Sequence, residues 1–174
     1  MVIGKKVRNV SRENALDCVL GFSIGNDVSR REWQRTDRTL FRAKNCDTFK
    51  PCGPWIVTDL DPARLRILVR CNSTAWEDFS SGDQIWDTAT RLHEMSKTAT
   101  LHPGDVLWMG TEGAAGDKVP GDVIEVEISG IGALRNRVVA EAQGRHWRAK
   151  YPGLRSPSGR APTDTAVSAA AASR

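Results

Sequence analysis

The sequence predicts a mainly β domain with a few helices, of the α+β class, on three observations. Two segments alternate apolar and polar residues at the strand period: Leu65 to Cys71 and Ile124 to Ile128. A turn signal is doubled, Pro103-Gly104-Asp105-Val106 and Pro120-Gly121-Asp122-Val123, each expected to feed a strand. Only one stretch carries a clear amphipathic helical pattern, with Ile85, Ala89, Leu92 and Met95 as its apolar stripe.

The elements follow in chain order. Ser11 can cap a short helix bearing Ala15, Leu16, Val19 and Leu20, which Gly21 would end. Phe22 and Ile24 read as a strand running into Gly25-Asn26-Asp27, and Ser29 to Gln34 as a helical turn. Pro51-Cys52-Gly53-Pro54 reads as a turn before a short apolar strand, Trp55 to Thr58. The strand Leu65 to Cys71 comes next. Ser81 is the expected cap of the amphipathic helix, with Asp83 suiting its first turn. A strand from Val106 to Met109 follows the first doubled turn, and Ile124 to Ile128 follows the second. Gly130 and Gly132 interrupt before Leu134 to Val139 resumes. Beyond about Ala142 the pattern stops. Prolines, serines and the run AVSAAAASR leave little to bury, so disorder is expected there. The domain assignment is therefore 1–142 for a folded domain and 143–174 for a basic tail.

Composition excludes several classes. With 174 residues, 40% apolar and 26% charged, the chain suits one soluble domain. No apolar run reaches a membrane span, and no secretory signal pattern opens the sequence, so a cytoplasmic protein without a membrane partner is expected. The net charge of +4 is concentrated in the tail: Gln143 to Arg174 hold six basic residues and one acid, so the body is close to neutral. A nucleic-acid module would carry its basic footprint on the folded body, so nucleic acid is not the expected partner. The four cysteines form no CxxC pair, no histidine stands at finger spacing, and reduced thiols are expected.

Three places gather polar residues between apolar elements. At the end of the first long strand, Asp27 can bind a hard cation through oxygen, or shape a turn. In Arg42 to Phe49, Lys44 can meet an anionic substrate, or be an ordinary solvated lysine. In Gly110-Thr111-Glu112-Gly113, loop amides can hold a carboxylate, or simply turn the chain. No histidine has the spacing of a triad or metal pair, and nothing near Cys46 is an obvious base for a nucleophile.

Together these segments become specific. The ordered motifs VIGKK, GNDVS, RREWQ, AKNCDTFKP, GPWIV, LRI, LHPGDV, WMGT, PGDVIEVEI and GIGALRN resemble the fumarylacetoacetate hydrolase family from about Val2 to Val139. The resemblance is nearest to bacterial isomerases, decarboxylases and acylpyruvate hydrolases of aromatic degradation. It implies the family's catalytic domain, a β-sandwich or roll, incomplete here at its N-terminal side. It implies action on a small 2-oxo or 2-hydroxy-enoic acid by C–C hydrolysis, decarboxylation or isomerisation, with a chelated enolate on Mg2+ or Mn2+ common to all three. By the same resemblance Asp27 is a metal ligand and Thr48 lies near the metal. Lys44 adds positive charge at the developing oxyanion, while Arg31, Gln34 and Thr111 contact the substrate. A homodimer is the family's usual form.

Some features depart from that pattern. The family's other two metal carboxylates, a Glu-x-Glu pair, and the histidine and glutamate of its lid lie upstream of the VIGKK strand, where this sequence starts. Either the functional protein carries an additional upstream segment, or the chain is an inactive remnant or a non-catalytic scaffold. Arg30 stands for a usual alanine, Glu32 for an aspartate, and Asn72-Ser73-Thr74 for an Asn-Gly-Glu turn.

Overall fold

The computed structural model describes residues 1–111 and 116–140 and the backbone of Val167–Ala170. Eight strands are present among the described residues: β1 Val2–Ile3, β2 Val19–Gly25, β3 Cys52–Val57, β4 Arg66–Cys71, β5 Thr74–Ser80, β6 Val123–Ile128, β7 Gly132–Ala140 and β8 Val167–Ala170. Three α-helices join them: α1 Arg31–Gln34, α2 Phe41–Lys44 and α3 Thr88–Thr98. The strands form two antiparallel sheets, one ordered β1-β2-β3 and one ordered β5-β4-β6-β7-β8. The expected mainly β, α+β class is the observed one.

The core has three parts. Between the sheets, Ile24 of β2 meets Val126 of β6 and Ile131, with Phe22, Val57, Ile67, Val69 and Leu134 packed around them. On the other side of the small sheet, fully buried Leu92 of α3 packs with Ile3, Val7, Ala15, Leu101 and Leu107. At the end of the large sheet, Cys71, Ile124 and Val138 pack with Trp76. Each part draws on the alternation visible in the strands. On the outer face of the large sheet, Arg70 donates to Glu125 at 2.8 Å and Glu127 at 2.6 Å, the two acids that alternate with Ile124, Val126 and Ile128. None of the four cysteines is in a disulfide. Among the described residues no helix is long and apolar enough to cross a membrane.

Several elements differ from the sequence reading. The helix expected after Ser11 is a 3-10 turn, Leu16–Cys18, and Val19 and Leu20 already belong to β2. Pairing of Ile3 with Val19 draws these residues into the sheet, so tertiary pairing overrides their helical spacing. Cys52 to Pro54, expected as a turn, is the first half of β3, with Gly25 paired to Cys52 and Ile24 to Gly53. Ser81 does not cap the amphipathic helix. Its hydroxyl accepts from the Leu65 amide at 2.9 Å, while Asp87 caps α3 by accepting from the Thr90 amide at 2.7 Å. Ile85 therefore falls outside the helix and is 97% exposed. The first doubled turn feeds one bridge, Val2 to Val106, rather than a strand. The second feeds β6 as expected. Strand β5 was not anticipated. Of the expected tail disorder, Val167–Ala170 is a strand paired with β7; the rest of the tail, with its basic residues to Arg160 and Arg174, lies outside the described residues.

Candidate functional site

The polar site forms where β2 and β3 end side by side. Asn26 leaves β2 and donates its amide to the Pro51 carbonyl at 3.1 Å, which fastens the exit of β2 to the entry of β3. The Val28 amide donates to the Asn26 carbonyl at 2.9 Å and Ser29 Oγ to the Asp27 carbonyl at 3.0 Å, so the chain turns sharply at Asp27. The side chain of Asp27 stays half-buried at the mouth of the two strands.

The chain then makes two short helices and returns. The Arg30 amide donates to the Ala43 carbonyl at 2.9 Å and joins α1 to α2. Two guanidiniums lie over the Trp33 ring, Arg30 at 4.7 Å and Arg42 at 4.1 Å. Asp37 closes the connection, accepting from the Ala43 amide at 2.9 Å and from Thr39 Oγ1 at 2.8 Å. Ala43 is fully buried, so Lys44 at the end of α2 faces back toward β2.

Two lysines converge on one carboxylate. Lys44 Nζ pairs with Asp27 Oδ2, and Lys50 Nζ pairs with Asp27 Oδ1. Lys50 also lies over the Trp108 ring at 4.5 Å. Trp108 in turn packs on Gly25, where a Cβ would come within 2.3 Å of the indole. Burial by itself pushes the Asp27 carboxyl up, but the hydrogen bonds and charges of Lys44 and Lys50 outweigh it and hold the group below the usual carboxylate range. Two ammonium groups against one carboxylate leave one positive charge unbalanced, at a mouth bordered by an aromatic ring.

The expected site residues are thus partly assembled. Asp27 and Lys44 meet directly. Arg31 and Gln34 lie together on α1, Arg31 Nη1 donating to Gln34 Oε1 at 2.8 Å. Thr48 is exposed in the segment between α2 and β3. Thr111 is exposed and reaches toward β5, its Oγ1 lying 3.4 Å from Glu77 Oε2. Glu112 and Gly113 lie outside the described residues. Lys50 and Trp108 escaped the sequence reading. A lysine two residues after the Asp47-Thr48 pair and a tryptophan in the WMGT segment carry no spacing signal of their own.

A divalent-ion site is not complete within this set. Magnesium takes a near-octahedral shell of oxygens and keeps several waters. Among the described residues no three His, Cys, Asp or Glu side chains converge in a way that could hold a metal ion. The one carboxylate at the mouth already has an ammonium on each oxygen. These residues alone do not fit the ion.

Comparison with known proteins supplies the family. The 5-carboxymethyl-2-hydroxymuconate delta-isomerase of Mycobacterium smegmatis matches with a TM-score of 0.79 and 39% identity, over 82% of this chain and 57% of that one. The maleylpyruvate hydrolase of Sphingobium sp. SYK-6, solved with manganese(II) and pyruvate, matches with a TM-score of 0.71 and 33% identity, over 79% of this chain and 51% of that one. The mitochondrial oxaloacetate tautomerase fahd2 of Xenopus laevis is 37% identical over 150 residues, which cover 79% of this chain and 47% of that protein. The chain spans about half the length of the curated relatives it matches. The family model for the fumarylacetoacetate (FAA) hydrolase C-terminal region matches residues 1–139, from β1 through nearly all of β7, so the small sheet, the large sheet apart from β8 and the last residue of β7, and the mouth between β2 and β3 lie within it and the chain belongs to that family.

Proposed function

We propose that this chain forms the substrate-binding half of an enzyme acting on a small 2-oxo or 2-hydroxy-enoic acid, by C–C hydrolysis, decarboxylation or isomerisation. The observation that carries the reading is the surplus positive charge at the mouth of β2 and β3 in a family whose relatives bear such names. Each of the three reactions places negative charge on the oxygen of the 2-oxo group. Lys44, half-buried and aimed at the mouth, would be the catalytic group that stabilises that oxyanion. Arg31, Gln34 and Thr111 would bind the rest of the substrate, Thr111 as a hydroxyl donor to its carboxylate. Asp27 would hold the lysines in place and, with Thr48, would be this chain's contribution toward magnesium or manganese. Metal dependence enters through the manganese-bound relative alone, and the further ligands would have to come from outside the described residues. A role in aromatic catabolism, a cytoplasmic location and a homodimer belong to the same reading. Trp55 and Ile56, 60% and 45% exposed on β3, would offer apolar surface to a second copy.

The test is steady-state turnover of an acylpyruvate and of enol-oxaloacetate by the protein isolated from its source cells, compared with its Lys44→Met variant. Loss of oxyanion stabilisation should lower kcat by roughly a hundredfold with a smaller change in KM. Undiminished turnover in the variant would reject the role given to Lys44. A second reading, a non-catalytic scaffold, is favoured by the engagement of both Asp27 oxygens by lysines. Saturable binding of pyruvate without any turnover would support it.

A further inference from the structure

Lys50 is the residue at this mouth that no motif assigned. Its backbone has a φ of 64°, in the left-handed region that non-glycine residues rarely adopt. Such a conformation persists where its surroundings over-determine it. Here Phe49 donates to the Cys46 carbonyl at 2.7 Å on one side, and buried Pro51 accepts from Asn26 on the other. The turn sends the Lys50 side chain back over Trp108 and onto Asp27 Oδ1. Trp108 packs closely on Gly25, its ring atoms standing where a Cβ would be. The ammonium is therefore fixed by the ring, the carboxylate and the backbone turn, and its side chain is only 22% exposed.

A cation approaching Asp27 meets this arrangement first. Oδ1 and Oδ2 each already face an ammonium, and a divalent ion at the same carboxylate would sit beside two positive charges. We propose that Lys50 is a built-in cation that competes with divalent metal for Asp27, so that metal binds here only as Lys50 is displaced. The proposal rests on the reading of Asp27 as the carboxylate facing the metal. It also adds to the misfit of the described residues to the ion: besides the shortage of ligands, both oxygens of Asp27 already face an ammonium.

The experiment is a manganese titration of the full chain, following the electron paramagnetic resonance signal of the free aqueous ion. Four proteins are compared: wild type, Lys50→Met, Asp27→Asn, and the double variant. Methionine keeps an unbranched side chain over Trp108 and removes the charge. Lys50→Met should bind manganese about tenfold more tightly than wild type, since one unit charge a few ångströms from a divalent ion is removed. The gain should vanish in the Lys50→Met, Asp27→Asn double variant. Lys50→Arg, which keeps the charge, should stay at the wild-type affinity. Far-ultraviolet circular dichroism checks that each variant is folded, and Lys50→Gln carries the comparison if the methionine variant is not. An unchanged or weaker affinity in the charge-removed variant would overturn the proposal. So would a gain that survives Asp27→Asn. A protein that turns over an oxo acid through Lys44, yet gains no manganese affinity on loss of Lys50, would keep the functional reading and discard this one.

Discussion

Adding a single methyl group at Gly25 should damage both the fold and the site. The φ of Gly25 lies outside the left-handed region, so the effect of Gly25→Ala is steric rather than conformational. The new Cβ would stand 2.3 Å from Trp108 Cζ3, 2.5 Å from Cη2 and 3.0 Å from Cε3. Carbon atoms rest at roughly 3.5–4.0 Å, so the indole must move by about 1 Å or more. The backbone next to it cannot follow, because Leu107 is buried and donates its amide to Met1 at 2.9 Å. The ring must rotate instead, leaving Lys50 without its aromatic face. Overpacking of this kind costs about 1–3 kcal/mol. Urea unfolding followed by far-ultraviolet circular dichroism should show that loss at unchanged m-value. Repeating the substitution in a Trp108→Leu background separates sterics from any other cause, since leucine removes the ring. The penalty there should fall by about half or more, a coupling within the range seen for residues in contact. An unchanged midpoint for Gly25→Ala, or an equal penalty in both backgrounds, would refute the reasoning.

Two more predictions concern elements away from the mouth. Asp87→Ala removes the cap of α3 and should lower stability by about 1 kcal/mol at neutral pH, measured by thermal or urea unfolding. The Thr90 amide, with Thr90 and Arg12 side chains, holds the Asp87 carboxyl below its usual range. Its contribution is therefore present above the ordinary carboxylate pKa and lost as pH falls through the folded value. The gap between wild type and variant should close on acidification below about pH 4, and a gap that persists unchanged well below that pH would contradict the cap. Asn136 on β7 is 1% exposed, and neither Oδ1 nor Nδ2 has a hydrogen-bond partner among the described residues. A buried unpaired amide costs about 1–3 kcal/mol. Asn136→Leu, of similar volume and facing Ile124 across the sheet, should raise the urea midpoint, and a lowered midpoint would show that the amide has a partner.

The legibility of this chain in its sequence was uneven for physical reasons. β4, β6 and β7 were visible because one face is buried against β2 and the other solvated, and period-two alternation records that directly. β5 was not, because it is the edge of its sheet and mostly exposed, so Thr74 to Ser80 shows little contrast between faces. Val19 and Leu20 kept helical spacing with Ala15 and Leu16 by coincidence, and long-range pairing with β1 decided their state. Ser81 is a capping residue type, but its hydroxyl is engaged by the Leu65 amide, and Asp87, unnoticed in the sequence, takes the Thr90 amide instead. Asp27 and Lys44 stood in ordered motifs, and the fold brings them together as an ion pair. Lys50 and Trp108 join them through the left-handed turn at Lys50 and the bare face of Gly25, neither of which a linear pattern displays.

The α1–α2 excursion has a consequence for how the protein breathes. From Arg31 to Lys50 only Ala43 is buried, and the segment is held mainly by the Arg30–Trp33–Arg42 stack, the Asp37 bonds and the lysine pairs. Segments with so few buried apolar contacts open at free energies well below that of global unfolding. Their amides should exchange with solvent deuterium while β2, β4 and β6 remain protected. Arg31, Gln34 and Lys44 all ride on this excursion, whereas Asp27 sits at its root beside β2. The carboxylate and Lys50, at the two roots of the excursion, would thus belong to the slowly exchanging frame and Lys44 to the opening arm, which would let the mouth be exposed and re-formed without disturbing the sheets beneath it.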